Sequence, residues 1–256
     1  MDFFKFFPKT LYVFGNEAEE LGTGNVETEI FSDISIYVDV IDEVRKNSAY
    51  HLKYYIQEND RPDQVSYDLY GTASYHWTFF MMNDNLREQG WPLSNIEMEK
   101  KLHIDFPNLV FTTLVDLTGH FFPGQIVVGS TSGARGKVIR RKLDLGQIII
   151  EPIVNLTNPN VKFSPSEVIT SKSISAIGTQ AAFGNFIDED KAVRHYTDST
   201  GRIIDIDPAV GPGAFDVPVT QEEFYYTQNT ALKEINIIKP SLIAEVANAY
   251  KQALRV

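Results

Sequence analysis

Asp188, Glu189 and Asp190 stand together, with His195, Asp198, Asp205 and Asp207 close behind. Carboxylates near an imidazole could hold a hard cation or zinc, or give a histidine base with an acid to orient it. The ligand order of a calcium loop is missing, and so is a His-Glu-x-x-His pair. A solvated acidic face with salt bridges is therefore the first reading, and a metal-assisted hydrolase using the region near His195 is an alternative. The glycine-rich run from Gly129 to Gly136 invites a phosphate-binding reading, but Lys137 is followed by Val138 rather than Ser or Thr, with strand-like sequence beyond. That run reads as a hairpin turn or loop. No nucleophile, acid–base pair or metal set converges in the spacing, so no catalytic residue, metal ligand or cofactor is assigned and the chain is read as a non-enzyme.

A second chemistry resides in aromatic groups. Tyr54, Tyr70, Tyr75, Trp77 and Asn83 could supply the ring faces and amide of a shallow glycan groove, or they could form a core or a protein interface. Phe3, Phe4, Phe6 and Phe7 put four aromatic rings at the start of the chain; each gains roughly 1.5–3 kcal/mol on burial, so they should dock on this chain or on a partner.

The elements that carry these groups follow from pattern. Tyr50–Ile56 predicts a strand with Leu52, Tyr54 and Ile56 on one face. Arg61-Pro62-Asp63-Gln64 opens a short helix that ends at Tyr70-Gly71. Thr72 caps a second helix over 73–82 with Trp77, Phe80 and Met81 on one face, and Asn83-Asp84-Asn85 closes it. Ser94 and Glu97 have capping-box spacing, with Ile96, Met98 and Leu102 facing inward. From Val110 the pattern changes to short strands separated by glycine-rich turns, which fits a small antiparallel β-barrel or sandwich. Arg140, Arg141 and Lys142 form a basic triplet read as a solvated loop. Residues 222–227 read as extended, and 234–238 as a strand. The last helix starts after Pro240, with Leu242, Val246, Ala249, Tyr250 and Ala253 in one stripe that packs on the body or docks on another subunit.

Composition sets the outer bounds. The 256 residues suffice for a substantial core, and the aromatic content of 12% exceeds what a minimal core needs. A net charge of −11 argues against a nucleic-acid backbone binder. With no cysteine, thiol-based schemes and disulfides are impossible. The opening MDFFKFFPK is short and interrupted by charge and proline, so neither a signal peptide nor a membrane span is expected, and synthesis in a cytoplasm is.

The run YYIQENDRPDQVSYDLYGTASYHWTFFMMNDN, strongest over Tyr50–Trp91, resembles a baseplate wedge subunit of contractile-tailed bacteriophages that carries a LysM-like module. The start MDFFKFFPKTLY and the stretch from Ile235 to Pro240 are similar to the same family, whereas FFPGQIVVGSTSGARGKV and KFSPSEVI resemble a small β module of phage tail and neck proteins. The resemblance implies a structural protein of the virion's tail baseplate, made and assembled in the host cytoplasm, that joins neighbouring wedges around the central hub. It also implies hetero-oligomeric contacts with other wedge subunits, with hub or sheath-related proteins as further candidates. A peptidoglycan-binding LysM-type module is the other alternative it brings.

The fold class expected is α+β: a LysM-like α/β module, an additional small antiparallel β-barrel or sandwich region, and a C-terminal helix. The expected division is an N-terminal arm over 1–48, the LysM-like module over 49–109, the small β domain over 110–175 and a C-terminal assembly segment over 176–256. Phe3, Phe4, Phe6, Phe7, Tyr54, Tyr70, Tyr75, Trp77, Trp91, Leu242, Val246 and Tyr250 are the candidate protein-interface residues.

Overall fold

The computed structural model describes residues 9–14, 27–32, 40–154, 161–172 and 179–254. Its architecture is α+β, and the chain packs as two compact units: 1–94 together with 229–256, and 95–228. The chain passes from the first to the second after Ser94 and returns at Asn229. The helix over 95–105, expected inside a 49–109 module, thus falls in the second unit.

In the first unit, strand β1 (Lys9–Phe14) pairs antiparallel with β2 (Glu27–Ser32), and the short helix α1 (Val40–Lys46) comes next. Strand β3 (His51–Tyr55) leads into α2 (Pro62–Tyr70), where Pro62 occupies the first turn and Asp63 sits beside the unpaired N–H groups. Gly71, at φ +71°, ends α2 in the left-handed conformation and returns its N–H to the Tyr67 carbonyl. Thr72 does cap the next helical turn, but that turn is 3₁₀ over Ala73–Tyr75, and α3 covers only Trp77–Met82. Asn83 ends α3 in an extended conformation, as expected, and α4 (Asp84–Gln89) begins at once after it.

The second half of this unit comes from the end of the chain. Strand β13 (Glu234–Ile238) pairs antiparallel with β3, matching Ile235 to Tyr54 and Ile237 to Leu52, and α7 (Ile243–Ala253) closes the unit. Two cores result. One gathers Ile56, Val65, Phe79, Leu86, Leu232, Ile235 and Ile237; the other packs Ile243, Val246, Ala247 and Tyr250 of α7 onto Ile41, Val44, Trp77, Met82 and Ile238. Since α3 contributes to both, it is apolar nearly all round: Phe79 and Met82 are buried, and of the expected face Trp77 is buried while Phe80 and Met81 are half-buried. On the expected face Leu52 is exposed, Tyr54 half-buried and Ile56 buried, so its cover increases toward the end that leads into α2.

The second unit opens with α5 (Asn95–Asp105), which buries Met98 and Leu102 but leaves Ile96 in solvent. Six strands then close on themselves in the order β4 (Leu109–Thr112), β7 (Gln147–Ile153), β6 (Arg135–Lys142), β5 (Ile126–Gly129), β8 (Ser166–Lys172) and β9 (Thr179–Asp188). Every pairing is antiparallel, and closure removes free edges. Phe111, Val127, Val138, Ile148, Ile150, Ile169 and Ala182 fill the interior, joined by Leu117 and Phe121 from the loop after β4. Ile149 faces the other way and meets Val110 and Ala192, so the first half of β7 is covered on both faces and its three isoleucines read as a continuous apolar run, while residues 151–153 are exposed. Gly184 is forced by closeness rather than by backbone angle: a Cβ there would collide with the Thr112 carbonyl and the Phe111 ring.

Outside the barrel, β10 (Val193–Thr197) lies between β11 (Ile203–Ile204) and β12 (Val217–Thr220). The stretch expected to be extended at 222–227 is instead helix α6 (Gln221–Leu232). Thr220 and Glu223 form a reciprocal capping box: the Thr220 N–H donates to Glu223 Oε2 at 2.9 Å, and the Glu223 N–H to Thr220 Oγ1 at 3.1 Å. The basic triplet is part of β6 rather than a loop, and Arg141 donates to the Leu117 and His120 carbonyls at 2.6 and 2.7 Å.

Candidate protein interface

The aromatic cluster of the first unit is built into its own packing. The Tyr70 ring stacks on Phe79 with centroids 6.0 Å apart and meets Tyr75 edge-on at 5.9 Å, and its hydroxyl donates to the Ile238 carbonyl at 2.9 Å. Burial pushes the Tyr70 phenol pKa up. Trp77 lies 5.0 Å from the Tyr250 ring, tying α3 to α7. Trp91 packs on Phe79 and Phe80 and donates its indole N–H to the Asp60 carbonyl at 2.7 Å. Trp77, Val246 and Tyr250 are buried; Tyr54, Tyr70, Tyr75, Trp91 and Leu242 are half-buried against the cores. Phe3, Phe4, Phe6 and Phe7 lie outside the described residues.

Asn83 is the residue whose role spacing did not reveal. It is 6% exposed; its Oδ1 accepts from the Asn236 N–H at 2.8 Å, and its Nδ2 donates to the Asn236 carbonyl at 2.9 Å and the Phe79 carbonyl at 2.8 Å. One amide therefore supplies the bonds that a further strand would give to the free edge of β13, and Tyr70 does the same at Ile238. Asn229 works likewise at the chain's return, accepting from the Leu93 N–H and donating to the Leu93 carbonyl, both at 2.8 Å. An asparagine amide carries a donor and an acceptor side by side, so it can imitate a peptide group; only the tertiary partner reveals that it does. For a glycan groove the arrangement is unfavourable, because Trp77 and Asn83 are enclosed and the Tyr70 hydroxyl is already bonded to the backbone.

The surface outside these cores retains large apolar side chains. In the first unit Tyr55 and Tyr67 are 51% and 63% exposed, and the register partners Leu11 and Ile30 are also exposed. In the second unit Leu114, Phe183 and Val210 stand in solvent.

Glu189, Asp190, Asp198 and Asp207 are each occupied separately. Glu189 accepts from Asn108 Nδ2 at 2.8 Å and faces Arg140, while Asp190 meets His103 Nδ1 at 3.3 Å. Asp198 Oδ1 accepts from the Thr200 and Arg202 N–H groups, and Asp207 Oδ1 from that of Ala209, so both close turns. The His195 ring meets the edge of Phe224 at 6.1 Å, and burial together with Arg194 lowers its pKa. No hydrogen bond joins His195 to Asp205 or Asp207, and among the described residues no group of three His, Cys, Asp or Glu side chains could hold a metal. The glycine-rich turn holds an anion of its own: the Glu167 carboxylate, 2% exposed, accepts from the N–H groups of Thr131, Ser132 and Ser164 and from the Ser132 hydroxyl. A cleft of about 700 Å³ on this unit is lined chiefly by apolar side chains such as Ile153, Phe163, Pro165 and Phe186, together with the paired His103 and Asp190.

The aromatics of the first unit are thus enclosed in its packing, while large apolar groups stand in solvent on both units. Residues 2–100 match the model of a family described as base plate wedge protein 53. That match sets this part of the chain among phage baseplate wedge proteins, which are structural, and so assigns the protein to the tail baseplate of the virion, where it assembles with other baseplate components. No curated protein matches the chain. Among the described residues no helix is long and apolar enough to cross a membrane.

Proposed function

We propose that the protein joins neighbouring baseplate wedges around the central hub by protein–protein contact, without catalysis. The observation that carries this reading is the family match over residues 2–100, which covers the aromatic region and the strands before it. The order strand β3, helices α2 to α4, then β13 antiparallel to β3 supports a LysM-like character for the first unit. In this reading the module serves as a rigid body whose aromatics hold it together and whose outer face meets other wedge subunits, with hub or sheath-related proteins as further partners.

Infection with phage that lack the protein tests the role. Completed wedges are expected to accumulate as separate particles on a sucrose gradient and to close into baseplates when the purified protein is added. Closed baseplates forming in its absence would overturn the joining role.

A further inference from the structure

A face of the second unit, outside the residues matched by the wedge family, carries apolar groups that the fold gathers and leaves uncovered. Leu114 is 63% exposed, Phe183 62% and Val210 79%. They belong to three separate segments held together by specific contacts. The Thr113 hydroxyl donates to the Phe183 carbonyl at 2.7 Å, fixing the loop after β4 against β9. The Thr113 N–H donates to the Gly146 carbonyl at 2.9 Å, and Pro208 packs on Gly146, where an added Cβ would lie 3.3 Å from the proline Cβ. Gly211 lies beside Leu114, since a Cβ there would be in van der Waals contact with Leu114 Cδ2 at 3.8 Å. The loop bearing Val210 is also closed internally, by the Val210 and Gly211 N–H groups on the Asp207 carbonyl. The exposed side chains thus stand on anchored backbone, which lowers the entropy lost when a partner covers them.

The segment that bears Val210 is acidic. Residues 205–216 carry Asp205, Asp207 and Asp216 and no Lys or Arg, and Asp116 lies next to the exposed Val115. Nucleic acid would be repelled. A second copy of the same face would bring like charges together at the interface, which is costly. What fits is the opposite: an apolar centre flanked by Lys or Arg.

We propose that the face built by Leu114, Phe183 and Val210 docks a basic, apolar surface of a different baseplate protein. The proposal rests on the reading that the protein works by contact within the baseplate, and it gives the second unit a partner of its own.

The test uses the full chain in assembled phage particles. A photoreactive benzoylphenylalanine placed at Val210 is expected to cross-link to a Lys- or Arg-containing segment of another baseplate protein, identified by mass spectrometry of the purified virion. The double variant Asp205→Lys/Val210→Ser, whose changes are both on the surface, should retain the wild-type melting temperature yet enter baseplates about tenfold less efficiently in competition with wild type. A cross-link only to a second copy of this chain, no cross-link at all, or equal entry of the variant would each overturn the docking face. Wedge joining that proceeds normally with the variant would do so while leaving the joining role intact, whereas closure of baseplates without any of the protein defeats that role separately.

Discussion

At Asn83 one buried amide meets the backbone of two elements, α3 through Phe79 and β13 through Asn236. Asn83→Ala leaves the Asn236 N–H and carbonyl without their partner in a place closed to water, a loss on the order of 1–3 kcal/mol. Urea denaturation followed by the tryptophan signal should show the lower stability, and an unchanged midpoint would count against the edge-sealing role. Glu167 is the counterpart in the barrel. Burial alone would raise its pKa, but the N–H groups of Ser132, Ser164 and Thr131 and the Ser132 hydroxyl outweigh that effect and hold it below the ordinary carboxylate value. A carboxylate with a lowered folded-state pKa adds stability that is complete above its unfolded value, near 4.5, and is lost as pH falls through the folded one. Glu167→Gln is therefore expected to lower the melting temperature at pH 7 and to narrow the gap from wild type as the buffer is taken below about pH 4. A constant gap across that range would argue that the carboxylate charge is irrelevant to the turn.

Among the elements, α7 shows how much a helix stripe leaves open until its partner is seen. Its apolar stripe is equally compatible with the body or another subunit, and Ile243, Val246, Ala247 and Tyr250 prove to pack on α1, α3 and β13. A chain truncated after Pro240 would expose Trp77, Met82 and Ile238, so it should lose the near-ultraviolet circular dichroism of the first unit and its cooperative melting. A truncated chain that keeps both would show that the helix is dispensable to the fold. Helix α6 teaches the converse. Its apolar and aromatic residues suggest extension, yet Thr220-Gln221-Glu222-Glu223 carries the capping-box spacing that starts it. The start signal is local and legible; the aromatic run beside it is ambiguous because Phe224 and Tyr225 suit a strand as well as a helix.

At the scale of the whole molecule, the second unit lies between two points of the chain that meet within the first. Asn229 is bonded in both directions to Leu93, so the segment from 95 to 228 leaves and re-enters at one place in the first unit. Replacing 95–228 by a short Gly-Ser linker should therefore preserve the β3–β13 pairing and both cores of the first unit. Retention of a single cooperative melting transition and dispersed amide resonances would bear this out, and an unfolded product would show that the second unit is required. The same excision removes the proposed docking face and leaves nearly all of the residues that match the wedge family.

What the sequence determined by itself is local. Pro62 and Asp63 start α2, Gly71 stops it, Thr72 caps the next turn, and the strand at 234–238 is set by its run of isoleucines. These features depend on neighbours a few residues away, so they can be read in order along the chain. The likeness to a baseplate wedge family was also legible there, and the family match covers the same region. Only the tertiary structure decided that β13 returns across more than half the chain to pair with β3, and that Asn83 seals its edge. It also decided which aromatics are enclosed and which apolar groups, Leu114, Phe183 and Val210 among them, remain in water. Burial and long-range pairing are set by what the rest of the chain brings to each side chain, and no local spacing encodes that.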